Sequence, residues 1–256
     1  MATWQTPRTT WSGEDGVTSS DFNRIEGNLQ YLFDTKADQA TDVVSYYVSN
    51  SGSDANDGLT SSTAFATIQK ALDMIPKSLG GASVVIRVAS GLYAGFTLAD
   101  FSGGIITLDF GTADVIVNTN TLISNCHAVQ ISGSGSFQVR AQWRIINTTC
   151  FMCSPDVTIT RTSTNALEVI QSRAIFPSSL TISGGTSYRA LLADNASLVF
   201  VESLLIMSGT GTGIMSDRGS TVAYSSSNNN ASVNIGSARG GRVYTGSQGL
   251  NPGGLS

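Results

Sequence analysis

Apolar residues recur along this chain in two rhythms. The first is helical. Phe22, Ile25, Leu29 and Leu32 fall at steps of 3, 4 and 3, with Asn23, Arg24, Glu26, Asn28 and Gln30 on the other side. That is an a/d seam of roughly two heptads. Thr18 followed three residues later by Asp21 is a variant of the capping box, which places the helix start. A helix this short is marginal alone in water, so the seam needs a partner. The partner is either the chain's own body or further copies of the chain in a short parallel bundle. Phe65, Ile68, Leu72 and Ile75 repeat the same steps, thickened by Ala71 and Met74. Thr60, Ser61 or Ser62 serves as the cap and Pro76 as the stop.

The second rhythm starts at Val84. Short β-branched runs alternate with Gly, Ser, Asn and Thr turns. Their central residues are Ile86, Leu108, Ile131, Ile159, Ile182, Ile206 and Ile235, at intervals of 22, 23, 28, 23, 24 and 29. Other short runs lie between them, such as 114–117 and 197–201. Three short strands in each such interval describe one coil of a parallel β-helix, with the longer intervals read as loop insertions. Residues 165–172, 189–200 and 213–224 align at the same period. An antiparallel sandwich prefers Asn-Gly or Asp-Gly hairpins, yet within 41–256 Asp57-Gly58 is the sole such pair and precedes a helix. The expected fold is therefore all-β, a parallel β-helix over 41–256 behind a helical stem in 1–40. A β-helix has an open end with exposed core and unpaired strand edges. The segment 41–83 supplies a leading strand and a helix whose face of Phe65, Ile68, Leu72 and Ile75 is expected to cap that end.

Composition narrows the partners. Charged residues make up only 12% of the 256. Seven acids against Arg8, Arg24 and Lys36 place the whole net charge of −4 in residues 1–42. No basic stripe points to nucleic acid, and no run of about 18 apolar residues points to a membrane span. MATWQTPRTTW lacks the basic-then-apolar order of a secretory signal, so the chain is expected to be made in a cytoplasm. Three cysteines do not form a disulfide framework.

Residues 46–76, with the Gly-Ser-Asp…Asn-Asp-Gly turn and Thr67-Ile68-Gln69, followed by VVIRVASGLY, resemble the N-terminal part of pectate-lyase-like right-handed β-helix proteins. Residues 11–33, WSGEDGVTSSDFNRIEGNLQYLF, are similar to the N-termini of tail-fibre, baseplate and appendage proteins of bacteriophages and prophages. The resemblance implies a particle-attachment region leading into a trimeric β-helix spike or fibre, located in a virion tail. It implies baseplate contact through residues 1–40 and bacterial surface glycan contact through the β-helix.

The family's lyase activity does not transfer. It needs a calcium cluster of acids, and after residue 115 only Asp156, Glu168, Asp194, Glu202 and Asp217 remain. A glycosidase needs two carboxylates about 5–9.5 Å apart. The repeat stacks Asp194 on Asp217, with Glu202 one strand further on, and these are the catalytic candidates if the chain cleaves polysaccharide. The structural alternative makes Asp194 and Asp217 turn residues, with Arg218 paired to a neighbouring acid. Asp156 and Glu168 have no obvious period-spaced partner. Asp54, Asn56 and Asp57 lack EF-hand spacing and read as turn and cap residues. Cys126, His127, Cys150 and Cys153 invite a zinc reading, but Cys126 and Cys150 lie one coil apart and stacked buried thiols are simpler. No cofactor or metal is expected. Arg140, Arg144, Arg161, Arg173 and Arg189, with Trp143, Phe176, Tyr188, Tyr224 and Tyr244, are candidates for glycan contact or core and turn fillers. A purely architectural tail adaptor is the remaining alternative.

Overall fold

The computed structural model describes residues 5–6, 18–39, 44–160, 165–183, 189–208, 212–229 and 234–245. The 1–40 boundary and the Gly-rich end after Thr245 lie outside them, as do Arg161 and Tyr188. Helix α1 (Ser19–Gln39) leads to β1 (Val44–Val48), a 3-10 turn at Ser61–Thr63, α2 (Ile68–Asp73), β2 (Ser83–Val88), β3 (Gly91–Tyr93) and β4 (Thr97–Ala99). In β2, Val84, Ile86 and Val88 are buried while Arg87 is exposed. This is the period-2 alternation of a half-buried strand.

Strand β1 pairs in parallel with β2 and heads the first of three stacks, and β3 and β4 head the other two. Each coil from β2 onward adds a rung to these stacks, and the strands Leu198–Ser208 and Thr221–Asn229 each run through both the first and the second. In the first stack Ser83 pairs with Ile105, Ile105 with Ala128, and Ala128 with Cys150. From β2 onward, offsets between paired residues run from 20 (Phe137 with Val157) to 25 (Arg173 with Leu198), whereas β1 and β2, with α2 between them, are offset by 40. The parallel β-helix expected from the period is the architecture observed.

The long intervals have a different cause from the one expected. Ile86, Leu108 and Ile131 are paired in the first stack, and the rung above Ile131 is Cys153. Ile159 and Ile182 belong to the second stack, and Ile235 to the third. An interval of 28 or 29 is one coil plus a step around the corner to the next strand. No inserted loop is needed to explain it.

The interior is filled by inward residues of all three stacks. Phe110, Phe137, Trp143, Phe151 and Phe176 form a continuous aromatic column, with the Trp143 ring edge-on to Phe137 and Phe151 at 5.3 Å between centroids. Trp143 and Phe176 are thus core residues and offer no stacking face to a ligand.

At the N-terminal end, α2 lies against β1, β2 and β4. Phe65, Ile68, Leu72 and Ile75 are all buried. The helix is shorter than the spacing predicts, because Phe65 sits before it in a parallel bridge to Val48. Its cap is Thr67, whose side chain accepts from the Lys70 amide at 3.1 Å, whereas Thr60 caps the 3-10 turn. Asp54 fixes the junction by accepting from the amides of Ala66 and Thr67 at 2.8 and 3.0 Å. Met74, expected on the apolar face, is exposed. Gly58 is required here. Its φ is +70°, and a Cβ would stand 2.1 Å from the Phe65 ring.

Candidate functional site

Three places carry exposed or titratable groups in a repeated arrangement. The first is the stem. Thr18 and Asp21 bond reciprocally: the Thr18 amide donates to Asp21 Oδ2 at 3.0 Å and the Asp21 amide to Thr18 Oγ1 at 3.3 Å. Arg24 adds an ion pair to Asp21 at 3.0 Å. Gln5 is held to Asn28 by two hydrogen bonds of 2.8 and 2.9 Å. From this start the helix runs for 21 residues, past the last seam position, since Lys36, Ala37 and Gln39 are good helix formers. Phe22, Ile25 and Leu29 are 58, 47 and 61% exposed. The described residues therefore leave these three seam positions uncovered. Leu32 lies on the same helix, with its side chain outside the described ones.

The second place is the corner between the third and first stacks. Each coil places a left-handed residue there: Asp100, Asn125, Asn147, Gln171, Asn195, Arg218 and Arg239, with φ between 45° and 65°, and Ala196 follows Asn195 at 60°. Asn and Asp tolerate this conformation, whereas other residues pay about 1 kcal/mol or more. Successive rungs bond to each other. Asn125 Nδ2 donates to Asp100 Oδ1 at 2.8 Å, and Asn147 Nδ2 to Asn125 Oδ1 at 3.2 Å. Beneath them Thr148, Ser172, Ser197 and Ser220 are buried, and the hydroxyls of the last three accept amide protons from the coil before.

Asp194 and Asp217 belong to this corner. Arg218 forms a bidentate pair with Asp194, its Nε at 2.7 Å from Oδ1. Arg239 repeats the pattern on Asp217, with Nε at 3.0 Å from Oδ1. Both carboxylates are largely buried behind their guanidinium partners. The Arg239 hydrogen bond, with the Arg218 amide and both nearby guanidinium charges, holds the Asp217 carboxyl below its usual range. Such a group is a poor proton donor near neutrality. Glu202 lies within the strand Leu198–Ser208, where the register shifts between Val201 and Leu204 at the next corner. The Asp194–Asp217 arrangement closes turns and supplies no free acid–base pair.

A depressed carboxyl contributes stability above its unfolded value near 3.9. The contribution is lost as pH falls through the lower folded value. Asp217→Asn is therefore expected to lower the melting temperature at pH 6, with the difference from wild type shrinking to nothing at the acid end. Melting curves from pH 6 to pH 2 check this; a constant difference across that range overturns it.

Glu168 and Asp156 do have period-spaced partners, though neither is a second carboxylate. Arg144 Nε donates to Glu168 Oε2 at 2.8 Å from the neighbouring coil. The Ser179 amide donates to Asp156 Oδ1 at 3.0 Å. The thiols are not stacked, since Cys150 pairs with Ala128 while Cys126 sits on the corner. Among the described residues no group of three or more His, Cys, Asp or Glu can hold a metal ion. No described helix is long and apolar enough to cross a membrane.

No family model, curated protein or solved structure matches the chain.

The third place is the corner between the first and second stacks, which carries a groove at each end of the β-helix. Near the capped end, Tyr47, Arg87 and Asp109 line one of ≈ 400 Å³, with Arg87 paired to Asp109 at 3.1 Å. Near the other end, Phe200, Glu202, Ala223, Ser225 and Tyr244 line one of ≈ 370 Å³. Sequence reasoning missed Phe200 and Ala223. Strand parity carries the signal: Val199, Val201 and Val222 point inward, so Phe200 and Ala223 point out. Arg239 was also missed, although it follows Asp217 at nearly the spacing by which Arg218 follows Asp194.

Proposed function

We propose that this chain is a structural, receptor-binding fibre or spike protein of a phage or phage-tail-like particle. It is a homotrimer held by its stem, attached to a tail baseplate through residues 1–40 and turned toward bacterial surface glycan along the β-helix. The exposed seam of Phe22, Ile25 and Leu29 carries this reading, because a helix start fixed by a capping box presents an apolar stripe that the described residues do not cover. Steps of 3 and 4 place Leu29 at an a position and Ile25 at a d position, the combination that favours three or four strands over two. The likeness of residues 11–33 to phage tail N-termini supports the attachment role. The carboxylates favour binding over cleavage, since Asp194 and Asp217 are engaged by arginines.

The solution mass of the full chain by light scattering tests the reading. Three times 26.7 kDa is expected. A mass of one chain overturns it.

A further inference from the structure

We propose that the groove at the far end of the β-helix holds a single pyranose ring in a slot between Phe200 and Tyr244. The inference rests on the glycan-binding reading above and names where the glycan is gripped. Phe200 pairs with Ala223, and Ala223 with Tyr244, on three successive rungs of the first stack. All three positions point outward, away from the buried neighbours Val199, Val201, Val222 and Tyr224. Rungs are about 4.8 Å apart, so the two aromatic residues stand about 9.6 Å apart with a methyl group as the floor. A sugar ring making carbon contacts at about 4 Å on each face fills nearly all of that gap.

The surroundings suit a sugar in two further ways. Each wall carries a guanidinium: that of Arg173 is 6.0 Å from the Phe200 ring centre, and Arg242 Nη1 lies 3.5 Å from the Tyr244 hydroxyl. These supply donors at both ends of the slot. Glu202 stands at the rim, and its carboxylate has no hydrogen-bond partner among the described residues, which leaves it open to accept from sugar hydroxyls. Ser225 Oγ donates to the Glu202 carbonyl at 2.7 Å and so fixes the rim backbone. Apolar walls with a few convergent polar groups are the usual composition of a small-molecule site, and Tyr pairs an apolar face with a polar tip.

The test is saturation-transfer NMR on the full chain with five probes: the methyl pyranosides of glucose, galactose, mannose, N-acetylglucosamine and glucuronic acid. Transfer to the ring C–H protons of at least one probe is expected at millimolar concentration. Ala223→Leu, which fills the slot, is expected to abolish it, and Tyr244→Ala to weaken it at least tenfold, with circular dichroism unchanged. No transfer from the wild-type chain to any of the five overturns the slot, as does equal transfer in Ala223→Leu. A change of mass in Ala223→Leu with no sugar signal in the wild type assigns the slot to a neighbouring chain and overturns it also. Light scattering on the same samples keeps the two readings apart: a three-chain mass without sugar transfer removes the slot alone, and a one-chain mass removes the stem reading.

Discussion

The full chain carrying Phe22→Asp and Leu29→Asp is expected to run as a single chain in light scattering, with the β-helix intact by circular dichroism. Both residues are more than half exposed on an isolated chain, so their replacement costs the folded body little. In a bundle each is taken out of water, a gain of about 2 kcal/mol per side chain. A carboxylate in its place must be desolvated without a partner, which costs more than the apolar contact contributed. Three chains each lose two seam residues and place like charges around one axis, so the effect on association is many orders of magnitude. Gln30→Ala on the polar side of the same helix is the control and is expected to leave the mass unchanged. A three-chain mass that survives the double substitution moves the interface off the stem.

The second large effect is at the cap. Phe65→Ala is expected to destabilise the folded chain by about 3–5 kcal/mol, a fall in melting temperature of about 10 °C for a body of this size. Phe65 is fully buried, bridges to Val48, and has its ring against Tyr46 at 5.9 Å and against the backbone of Gly58. Its loss opens a cavity where the core meets the N-terminal end of the solenoid. Neighbouring rungs each depend on the one before, so a weakened first rung exposes strand edges. The variant is expected to aggregate on heating below the wild-type transition. A melting temperature within 3 °C of wild type, measured by scanning calorimetry, overturns this account of the cap.

Much of the architecture was legible because the physics behind it is periodic. Inward residues recur at the length of one coil, and the pattern in residues 165–224 states the third stack almost without error. What could not be read was which of three equivalent stacks a given run belongs to. Ile131 and Ile159 look like members of one series, yet Cys153 stands in the register position between them. The same ambiguity leaves Trp143 and Phe176 open between core and ligand face in the sequence, since a lone aromatic declares its direction only through strand parity and register. The cap showed the opposite error. Phe65, Ile68, Leu72 and Ile75 are all buried, but helical spacing implies more helix than exists because an extended residue before Thr67 falls by chance in step with the helix behind it. At the Asp194 and Asp217 corner the stacking of the two acids was visible. The guanidinium that closes each was half visible, because Arg218 adjoins Asp217 in sequence while its ion pair is with Asp194 one coil away.

The uniform rung has a consequence for reach. Residues 105–109 and 150–153 both pair with 128–132, so excising residues 128–149 seats the third of these strands directly on the first. Such a deletion leaves the N-terminal cap, the stem and the far groove unchanged and shortens the body by about 4.8 Å. The distance between the stem and the far groove is thus quantised. A lineage of such proteins can lengthen or shorten its arm by whole coils without redesigning either end.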